Sequence, residues 1–214
     1  LRQNPGGYLQ AATSIASDFL DSNKLIVYTA GRRKQRTTYE ASDLQLFKNG
    51  KLAILVDESS ASASEIVAGA IQDWDRGVII GRRTFGKGLV QSQFELGDGS
   101  AIRLTTEKYY TPSGRCIQRS YAKGKEAYAS DYSHRFETGE LTGKDTLAIA
   151  DTVKYYTSKK RVVYGGGGII PDILVPYDTT RLSNASLSFV YSENFRNACM
   201  WYYLSHQTEW KKFT

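Results

Sequence analysis

The sequence predicts a mixed α/β fold, because segments with strand and helix patterns alternate along the chain. The clearest evidence is the segment 51–56, which contains a continuous apolar run (Leu-Ala-Ile-Leu-Val), followed by helical spacing at 64–75 and by a second apolar run at 77–81. Continuous apolar runs of this length are typical of strands that an α/β sheet buries on both faces. We therefore expect a sheet whose strands are covered by helices.

The elements before this unit alternate in the same way. A turn at 4–7 (Asn-Pro-Gly-Gly) precedes helical spacing at 8–20, and Leu25–Ala30 has the composition of a strand. The stretch at 31–43 is polar and basic, which predicts an exposed hairpin or loop.

The elements after it are a pair of antiparallel strands and then a less regular region. Alternating residues at 90–96 and 102–110 predict the two strands, joined by a turn at 97–99. In the remainder we predict, in chain order, an irregular insertion at 119–144, a helix at 146–159, an extended segment at 161–164, a glycine run at 165–168, a short strand at 173–175 and an amphipathic helix at 187–210.

The length of the chain limits the number of domains. A chain of 214 residues suits one large domain or a domain with an appendage. We predict a core over 1–176, which carries an insertion at about 119–161, and a C-terminal helical extension over 177–214. The chain starts at Leu1 rather than at a methionine, so we interpret it as a fragment of a longer protein.

The composition is that of a globular protein with a basic surface. Hydrophobic residues make up 41% and charged residues 23% of the chain, and the formal net charge is +6. Basic clusters such as 32–36 and 159–161 could bind nucleic acid, which is one hypothesis for the function. No helix-turn-helix, zinc-finger or RNP pattern accompanies them, so we interpret the clusters as solvated loops and helix ends and predict no nucleic-acid partner.

The residue types that bind metals are too few and too widely spaced for a metal site. His134 and His206 are the only histidines, and Cys116 and Cys199 are the only cysteines. Neither His-Glu-x-x-His nor Cys-x-x-Cys occurs, so we predict no metal and no cofactor. Cys199 lies in an apolar helical stretch and is predicted to be buried.

Two further catalytic signatures are absent from the sequence. The Gly-x-Ser-x-Gly pattern of α/β-hydrolases does not occur. The glycine run at 165–168 is followed by Ile-Ile-Pro, whereas a P-loop would continue with Gly-Lys-Ser/Thr. The sequence therefore favours neither an α/β-hydrolase nor a P-loop protein.

The most informative segment is 59–65 (Ser-Ser-Ala-Ser-Ala-Ser-Glu), between a predicted strand and a predicted helix. Reactive groups of α/β proteins are commonly placed at such a junction. Ser62 and Glu65 fit a capping box, and local sequence alone favours a helix cap as the role of Ser62. A serine there could also act as a nucleophile, because free backbone N–H groups at a helix N-terminus would stabilise a developing oxyanion.

A serine nucleophile needs a base, and neither histidine is well placed to be one. A lysine can take that role when an apolar environment keeps its amine neutral. The segment 84–91 (Thr-Phe-Gly-Lys-Gly-Leu-Val-Gln) offers Lys87 between two glycines that permit close backbone packing, with Phe85 and Leu89 able to exclude water. A single lysine in a loop is more commonly a solvated charge, so this segment does not decide the matter by itself.

Together the two segments resemble the active-site region of the C-terminal processing peptidases, also called tail-specific proteases, a family of serine peptidases with a Ser–Lys dyad. Matching segments follow the family order from the first residue to about Pro176. They are 1–7 (Leu-Arg-Gln-Asn-Pro-Gly-Gly), 60–66, 70–73, 84–91, 109–114 (Tyr-Tyr-Thr-Pro-Ser-Gly) and 168–172 (Gly-Ile-Ile-Pro-Asp). The resemblance implies a mixed sheet core of the crotonase- and ClpP-like ββα type with flanking helices.

The resemblance also implies roles for individual residues. Ser62 would be the nucleophile, Lys87 the general base and Gln91 the residue that orients the lysine. By the same resemblance the protein would be a serine endopeptidase that cleaves substrates near their C-termini through an acyl-enzyme. A non-catalytic peptide-binding protein of the same fold is the main alternative, and the presence of all three residues disfavours it.

The remaining expectations concern the oxyanion hole, the substrates and the location of the protein. The resemblance implies an oxyanion hole made by the backbone N–H of Ala63 and by one from Gly6 or Gly7, with Gly6 preferred.

Substrates would be proteins or peptides with exposed C-terminal tails. Bacterial members of the family act mostly in the periplasm or on the outer face of a membrane, so the resemblance implies an extracytoplasmic location, and the complete protein could associate with a membrane. The PDZ-like module that usually recognises substrate tails has no counterpart in this chain.

Overall fold

The computed structural model describes residues 1–32, 36–43, 46–122, 124–144, 153–178 and 183–207. Contacts within the chain divide it into two compact units, Leu1–Pro176 and Tyr177–Thr214. No helix in the described ranges combines the length and the apolar character that a membrane span requires.

The first unit has the mixed α/β composition that the sequence predicts. Its helices are α1 (Leu9–Ser17), α2 (Ala63–Asp73), α3 (Gly124–Ala129) and α4 (Asp131–Glu137). Its strands are β1 (Leu25–Ala30), β2 (Thr37–Glu40), β3 (Ala53–Val56), β4 (Val78–Gly81), β5 (Leu89–Glu95), β6 (Ala101–Tyr110), β7 (Lys154–Tyr156), β8 (Val162–Tyr164) and β9 (Ile173–Leu174).

Within the described residues, the strands form two sheets and a ribbon. Antiparallel strands make the first sheet in the order β2-β1-β6-β5, and parallel strands make the second in the order β3-β4-β9. Strands β7 and β8 pair as an antiparallel ribbon. The parallel pairing of β3 with β4 requires a crossover connection, and α2 provides it.

Helix α2 lies at the centre of the core. Every residue of this helix is buried, and Ile66 and Ile71 are at most 2% exposed. Ala16 of α1, Ile26 of β1 and Ile79 of β4 belong to the same apolar cluster. Burying an isoleucine side chain stabilises the fold by roughly 1.5–3 kcal/mol. This packing fixes the N-terminus of α2, and with it the segment that carries Ser62.

Strands β3 and β4 are buried on one face only, so the prediction of burial on both faces is wrong. Ile54 and Ile79 are buried, whereas Leu55 is 50% exposed and Val78 is 40% exposed. A continuous apolar run records that both faces are hydrophobic, but it does not show that an element covers each face. The outer face of this sheet is accessible in the described part of the chain.

The prediction of a helix at 146–159 is also wrong in the part of this segment that the structure describes. Residues 145–152 lie outside the described residues, and Lys154–Tyr156 form strand β7. The turn that follows β7 is tied to the end of α2, because Ser158 N donates to Asp73 O at 2.8 Å. Pairing with β8 and this long-range contact override the local helical spacing.

Two other predictions need correction. The segment predicted as irregular at 119–144 contains the short helices α3 and α4. In the second unit, the helix predicted at 187–210 is divided into α5 (Asn184–Val190) and α6 (Glu193–Ser205), and 208–210 lie outside the described residues. Cys199 of α6 is exposed rather than buried, because an apolar pattern on a helix does not supply a partner to cover it.

Candidate active site

Ser62 lies between β3 and α2, at the N-cap of α2, where the sequence predicts the helix to begin. Its backbone angles are φ 56° and ψ −116°, outside the extended region that an N-cap residue normally adopts. A non-glycine residue in such a conformation costs on the order of 1–3 kcal/mol and persists only where its surroundings hold it, commonly at functional sites. The Ser62 side chain is half-buried.

The capping box predicted from the sequence exists mainly through Glu65. Glu65 Oε2 accepts a hydrogen bond from the Ser62 N–H at 2.9 Å. The reciprocal contact, between the Glu65 N–H and the Ser62 side chain, is also present but is not a cap hydrogen bond, and Glu65 N donates to Ser62 O at 2.9 Å. The capping box predicted from the sequence is therefore present, and the Glu65 carboxylate makes its hydrogen-bonded half.

Ser60 and Ser64, two residues before and after Ser62, donate hydrogen bonds from their hydroxyls to backbone oxygens. Ser60 Oγ donates to Leu1 O at 2.8 Å, and Ser64 Oγ donates to Asn4 O at 3.1 Å. Both bonds tie the serine segment to the N-terminal segment. Of the three alternating serines, Ser62 is the one whose hydroxyl these backbone contacts leave available for chemistry.

Glu65 also joins Ser62 to the segment that contains Lys87. Its side chain is fully buried and accepts four hydrogen bonds. Oε2 binds the N–H of Ser62 at 2.9 Å and that of Lys87 at 2.8 Å. Oε1 binds Thr84 Oγ1 at 2.5 Å and the N–H of Gly86 at 2.7 Å. Because one oxygen accepts from both backbone groups, Ser62 and Lys87 are neighbours in space.

The charge state of Glu65 matters for this arrangement. Burial raises the pKa of the Glu65 carboxyl above its ordinary value, while the hydrogen bonds from Thr84, Lys87, Gly86 and Ser62 oppose the rise. Only the ionised carboxylate offers acceptors without a competing proton to all four donors. The ionised form is therefore the one that holds the two segments together.

The Lys87 loop (residues 84–88) is fixed from its other side by residues that follow β6. Arg119 N donates to Gly86 O at 2.9 Å, and Gly88 N donates to Gln118 Oε1 at 2.8 Å. Gly86 has a φ of +88°, and a side chain at this position would lie 3.1 Å from the Arg119 side chain. The loop is therefore held between Glu65 on one side and the segment 118–119 on the other.

The surroundings of Lys87 contain aromatic rings and a cation. The Lys87 side chain is half-buried, and none of the ion pairs among the described residues includes it. Phe85 packs edge-on against Tyr128, with ring centroids 6.0 Å apart. The Arg119 guanidinium lies 4.5 Å from the centre of the Phe85 ring. Among the described residues, no carboxylate therefore lies within ion-pair distance of the Lys87 amine.

The turn at Gly6 lies directly against Ser62. A side chain at Gly6, which has a φ of +92°, would come within 2.9 Å of Ser62 Cβ and 2.7 Å of Ala63 N. The Gly6 N–H, however, donates to Asn4 Oδ1 at 2.9 Å. A side chain at Gly7 would meet open space. Among the described residues, neither the Gly7 N–H nor the Ala63 N–H has a backbone acceptor.

Gln91, the predicted orienting residue, lies on β5. Its side chain is exposed, and the pairing register of β5 with β6 shifts between Val90 and Gln91. No hydrogen bond joins Gln91 to Lys87 within the described chain. Its role in orienting the lysine stays a prediction.

Residues of the segment 119–144 bind Arg83, which directly precedes the Lys87 loop. Glu140 accepts from Arg83 Nε and from Arg135 Nε, each at 2.8 Å, and all three side chains are buried. Arg135 Nη2 also donates to Arg83 O at 2.6 Å. Sequence reasoning missed these residues and missed Glu65 as a link, because the partners are distant in sequence. The one local signal was the position of Glu65 in the capping box.

Residues 1–125 match the sequence profile of Peptidase family S41. The carboxyl-terminal-processing protease of Picosynechococcus sp. is 49% identical over 112 residues, which is 52% of this chain and 27% of that protein. The chloroplastic carboxyl-terminal-processing peptidase 3 of Arabidopsis thaliana is 44% identical over 113 residues, which is 53% of this chain and 22% of that protein.

A solved structure shows the same fold over a longer stretch. The photosystem II D1 C-terminal processing protease superposes with a TM-score of 0.57 at 26% identity, covering 90% of this chain and 38% of that one. The chain spans about a quarter of the length of the two curated relatives. The profile match nevertheless covers more than half of the chain and includes both the Ser62 segment and the Lys87 loop. The chain therefore belongs to peptidase family S41, the serine peptidases that include the carboxyl-terminal processing proteases.

Proposed function

We propose that Ser62 and Lys87 form a Ser–Lys dyad and that the complete protein is a serine endopeptidase that cleaves proteins near their C-termini. The observation that carries this proposal is the buried Glu65 carboxylate, one oxygen of which accepts from the backbone N–H of both residues. A helix cap alone would not need the second bond. Nor would it need the strained backbone of Ser62.

In the proposed mechanism the neutral Lys87 amine takes the Ser62 hydroxyl proton as Oγ attacks the scissile carbonyl carbon. The oxyanion that forms accepts hydrogen bonds from backbone N–H groups. Ala63 N at the start of α2 is one donor. We assign the second donor to Gly7 rather than Gly6, because Asn4 already engages the Gly6 N–H.

In the remaining steps Lys87 gives up the proton that it has taken, first to the leaving amine and later, after a second transfer from water, to Ser62. The Lys87 ammonium gives its proton to the leaving amine as the peptide bond breaks, which leaves an acyl ester on Ser62 Oγ. A water molecule then attacks the ester carbonyl while Lys87 takes a proton from it. The lysine finally returns that proton to Ser62 as the ester bond breaks, and the product leaves as a carboxylic acid that releases its own proton to solvent, so protons and bonds balance over the cycle.

The identity of the nucleophile is tested by two serine variants. Ser62→Ala is expected to lower kcat/KM by at least ~10³-fold without unfolding the protein, because the covalent route is lost. Ser64→Ala is the matched control: its buried hydroxyl bonds only the backbone, so a modest loss of stability with activity within ~10-fold is expected. Equal losses in both variants would show that Ser62 acts as a structural residue, and the non-catalytic peptide-binding alternative would then be favoured.

The role of Gln91 is tested by comparing two substitutions at that position. A carboxylate near the Lys87 amine would stabilise the ammonium form, so Gln91→Glu should lower activity at neutral pH more than Gln91→Ala does. Measured pH profiles of kcat/KM that coincide for the two variants would remove Gln91 from the mechanism.

We infer that the complete protein acts outside the cytoplasm on exposed C-terminal tails. The names of the relatives support this inference, since they are carboxyl-terminal processing proteases and one is chloroplastic. An export signal in the complete precursor is the expected finding. A precursor that starts directly with a cytoplasmic domain and remains in the cytoplasm on fractionation would contradict it.

A further inference from the structure

A chain of ion pairs begins and ends beside the Lys87 loop. It runs, with alternating charge, through the side chains of Arg119, Asp131, Arg135, Glu140 and Arg83. Asp131 is half-buried and the other four residues are buried. Removing one member of a buried ion pair is strongly destabilising, because its partner keeps an uncompensated charge. The chain of ion pairs therefore fixes the segment 119–140 to the residues around the lysine.

Arg119 also contacts the Lys87 loop through aromatic rings. Its guanidinium lies 4.5 Å from the ring centre of Phe85 and 4.1 Å from that of Tyr128. Arg119 Nη2 donates to Tyr128 O at 3.0 Å, and Nη1 donates to Asp131. A planar guanidinium can contact ring faces and donate several hydrogen bonds at the same time. These contacts hold the Phe85 ring, two residues before Lys87.

The peptide unit between Gly86 and Lys87 is held from both sides. Its carbonyl accepts from Arg119 N at 2.9 Å, and its N–H donates to Glu65 Oε2 at 2.8 Å. A third bond holds the start of the loop, since Arg135 Nη2 donates to Arg83 O at 2.6 Å. The backbone of Lys87 therefore cannot shift toward or away from Ser62 without breaking one of these bonds.

Family membership assigns no role to this support. The match to the family profile ends at residue 125, and Tyr128, Asp131, Arg135 and Glu140 lie after it. A segment that only added stability could pack anywhere on the surface. This segment makes ion pairs, ring contacts and backbone hydrogen bonds with residues 83–86, which lead directly to the general base.

We propose that Arg119 is a positioning residue for Lys87: held by Tyr128 and Asp131, it fixes Phe85 and Gly86 so that the lysine amine reaches the Ser62 hydroxyl. The inference rests on the proposed function, because it concerns the same general base. A displacement of about 1 Å from productive geometry can cost about 10²-fold in rate. Weaker anchoring of the loop should therefore slow proton transfer while substrate binding is retained.

The side chain is tested in the complete protein with Arg119→Lys. Lysine keeps the positive charge and the backbone N–H but has no planar group to contact both rings. We expect kcat to fall by about 10- to 100-fold, with KM within ~3-fold of the wild type. A thermal unfolding curve shows that the variant is folded at the assay temperature. A folded Arg119→Lys variant with wild-type kcat would overturn the inference.

Substitutions at Tyr128 and Asp131 test the same contacts without changing Arg119. Tyr128→Ala removes one ring and should lower kcat by about 10-fold or more, whereas Tyr128→Phe keeps the ring and should restore most of the activity. Asp131→Asn keeps the size of the side chain but removes the charge that orients the guanidinium, and a loss of about 10-fold in kcat is expected. Wild-type kcat in both Tyr128→Ala and Asp131→Asn would contradict the positioning role.

The matched control is Tyr28→Ala. Tyr28 is half-buried like Tyr128 and belongs to a similar cluster, in which the Arg36 guanidinium lies 3.8 Å from its ring centre and Tyr110 stacks on it at 4.9 Å. Strands β1 and β6 carry the two tyrosines of that cluster, so it does not include the Lys87 loop. Tyr28→Ala should lower the melting temperature but leave kcat within ~3-fold of the wild type. Equal losses of kcat in Tyr28→Ala and Tyr128→Ala would show that both rings act only through stability.

Labelling of Ser62 with an alkyl fluorophosphonate separates the inference from the proposed function. The reagent reacts with an activated serine, so its rate constant depends on the base and not on substrate binding. This rate constant should fall by about 10- to 100-fold in Arg119→Lys. Absence of labelling at Ser62 in the wild type would remove the proposed function and the inference with it. Labelling at equal rates in the wild type and in Arg119→Lys would remove the positioning role alone.

Discussion

Replacing Lys87 with arginine is expected to reduce kcat/KM by at least ~10³-fold, the largest effect of any conservative substitution in this chain. A guanidinium does not lose its proton in proteins, so the variant keeps the positive charge but cannot act as a base. General-base catalysis contributes about 10²- to 10⁴-fold to the rate. The measurement is the steady-state rate with a peptide substrate, together with a thermal unfolding curve that shows the variant is folded.

The matched control for this variant is Lys108→Arg. Lys108 is exposed on β6, opposite Leu89 in the strand register, and so lies close to the Lys87 loop without belonging to it. Its substitution should leave kcat/KM within ~2-fold of the wild type, as is usual for exposed positions away from a site. If Lys87→Arg keeps more than about a tenth of the wild-type activity, the dyad is wrong and Ser62 is only a helix cap.

Replacing Glu65 with alanine should destabilise the protein by roughly 3–5 kcal/mol and abolish peptidase activity. The substitution leaves the N–H groups of Ser62, Gly86 and Lys87 and the hydroxyl of Thr84 without their acceptor in a buried position, and each such loss costs about 1–3 kcal/mol without strict additivity. The strained backbone of Ser62 would relax once the carboxylate no longer holds it.

Glu65→Gln separates the stability effect from the positioning effect. Glutamine keeps one acceptor oxygen and turns the other atom into a donor, so it can satisfy either the Ser62 and Lys87 pair or the Thr84 and Gly86 pair. We expect a smaller loss of stability than in Glu65→Ala but a similar loss of kcat. Denaturant unfolding and kcat are the measurements, with the exposed Glu95→Gln as control. A Glu65→Ala variant with wild-type stability and activity would show that the carboxylate is dispensable.

The sequence was sufficient for the local features of the site. The start of α2 next to Ser62 could be predicted, because an apolar run followed by helical spacing and a capping pattern are all short-range signals. Gly86 could be predicted as a position that permits close backbone packing, but the groups that approach it, and the approach of Ser62 and Ala63 to Gly6, could be identified only in the structure. A pattern shows that a residue is small, but it does not show which backbone approaches it.

The long-range features could not be predicted from the chain. Glu65 was recognised as a capping residue, but its bonds to Thr84, Gly86 and Lys87 depend on how β4 and the following loop pack against α2. The same limit explains the error at Lys154–Tyr156, where pairing with β8 decides the structure. It also explains Leu55 and Cys199, whose apolar character predicted burial that depends on a covering partner.

The roles of the remaining site residues stay predictions of the resemblance and of the geometry together. Gln91 is exposed and forms no hydrogen bond with Lys87 in the described chain, so its role would have to emerge when substrate is bound. The preference for Gly7 over Gly6 as an oxyanion donor comes from one hydrogen bond, that between Gly6 N and Asn4 Oδ1. No sequence pattern distinguishes the two glycines.

The central claim is that Ser62 is acylated with the help of Lys87, and trapping the acyl-enzyme tests it most directly. An ester substrate is mixed with the complete protein, the reaction is quenched with acid before steady state, and the modified peptide is mapped by mass spectrometry. We predict one acyl group on Ser62, which is lost in Ser62→Ala and no longer accumulates in Lys87→Arg. An acyl group on another residue, or equal acylation of Ser62 in the arginine variant, would contradict the dyad.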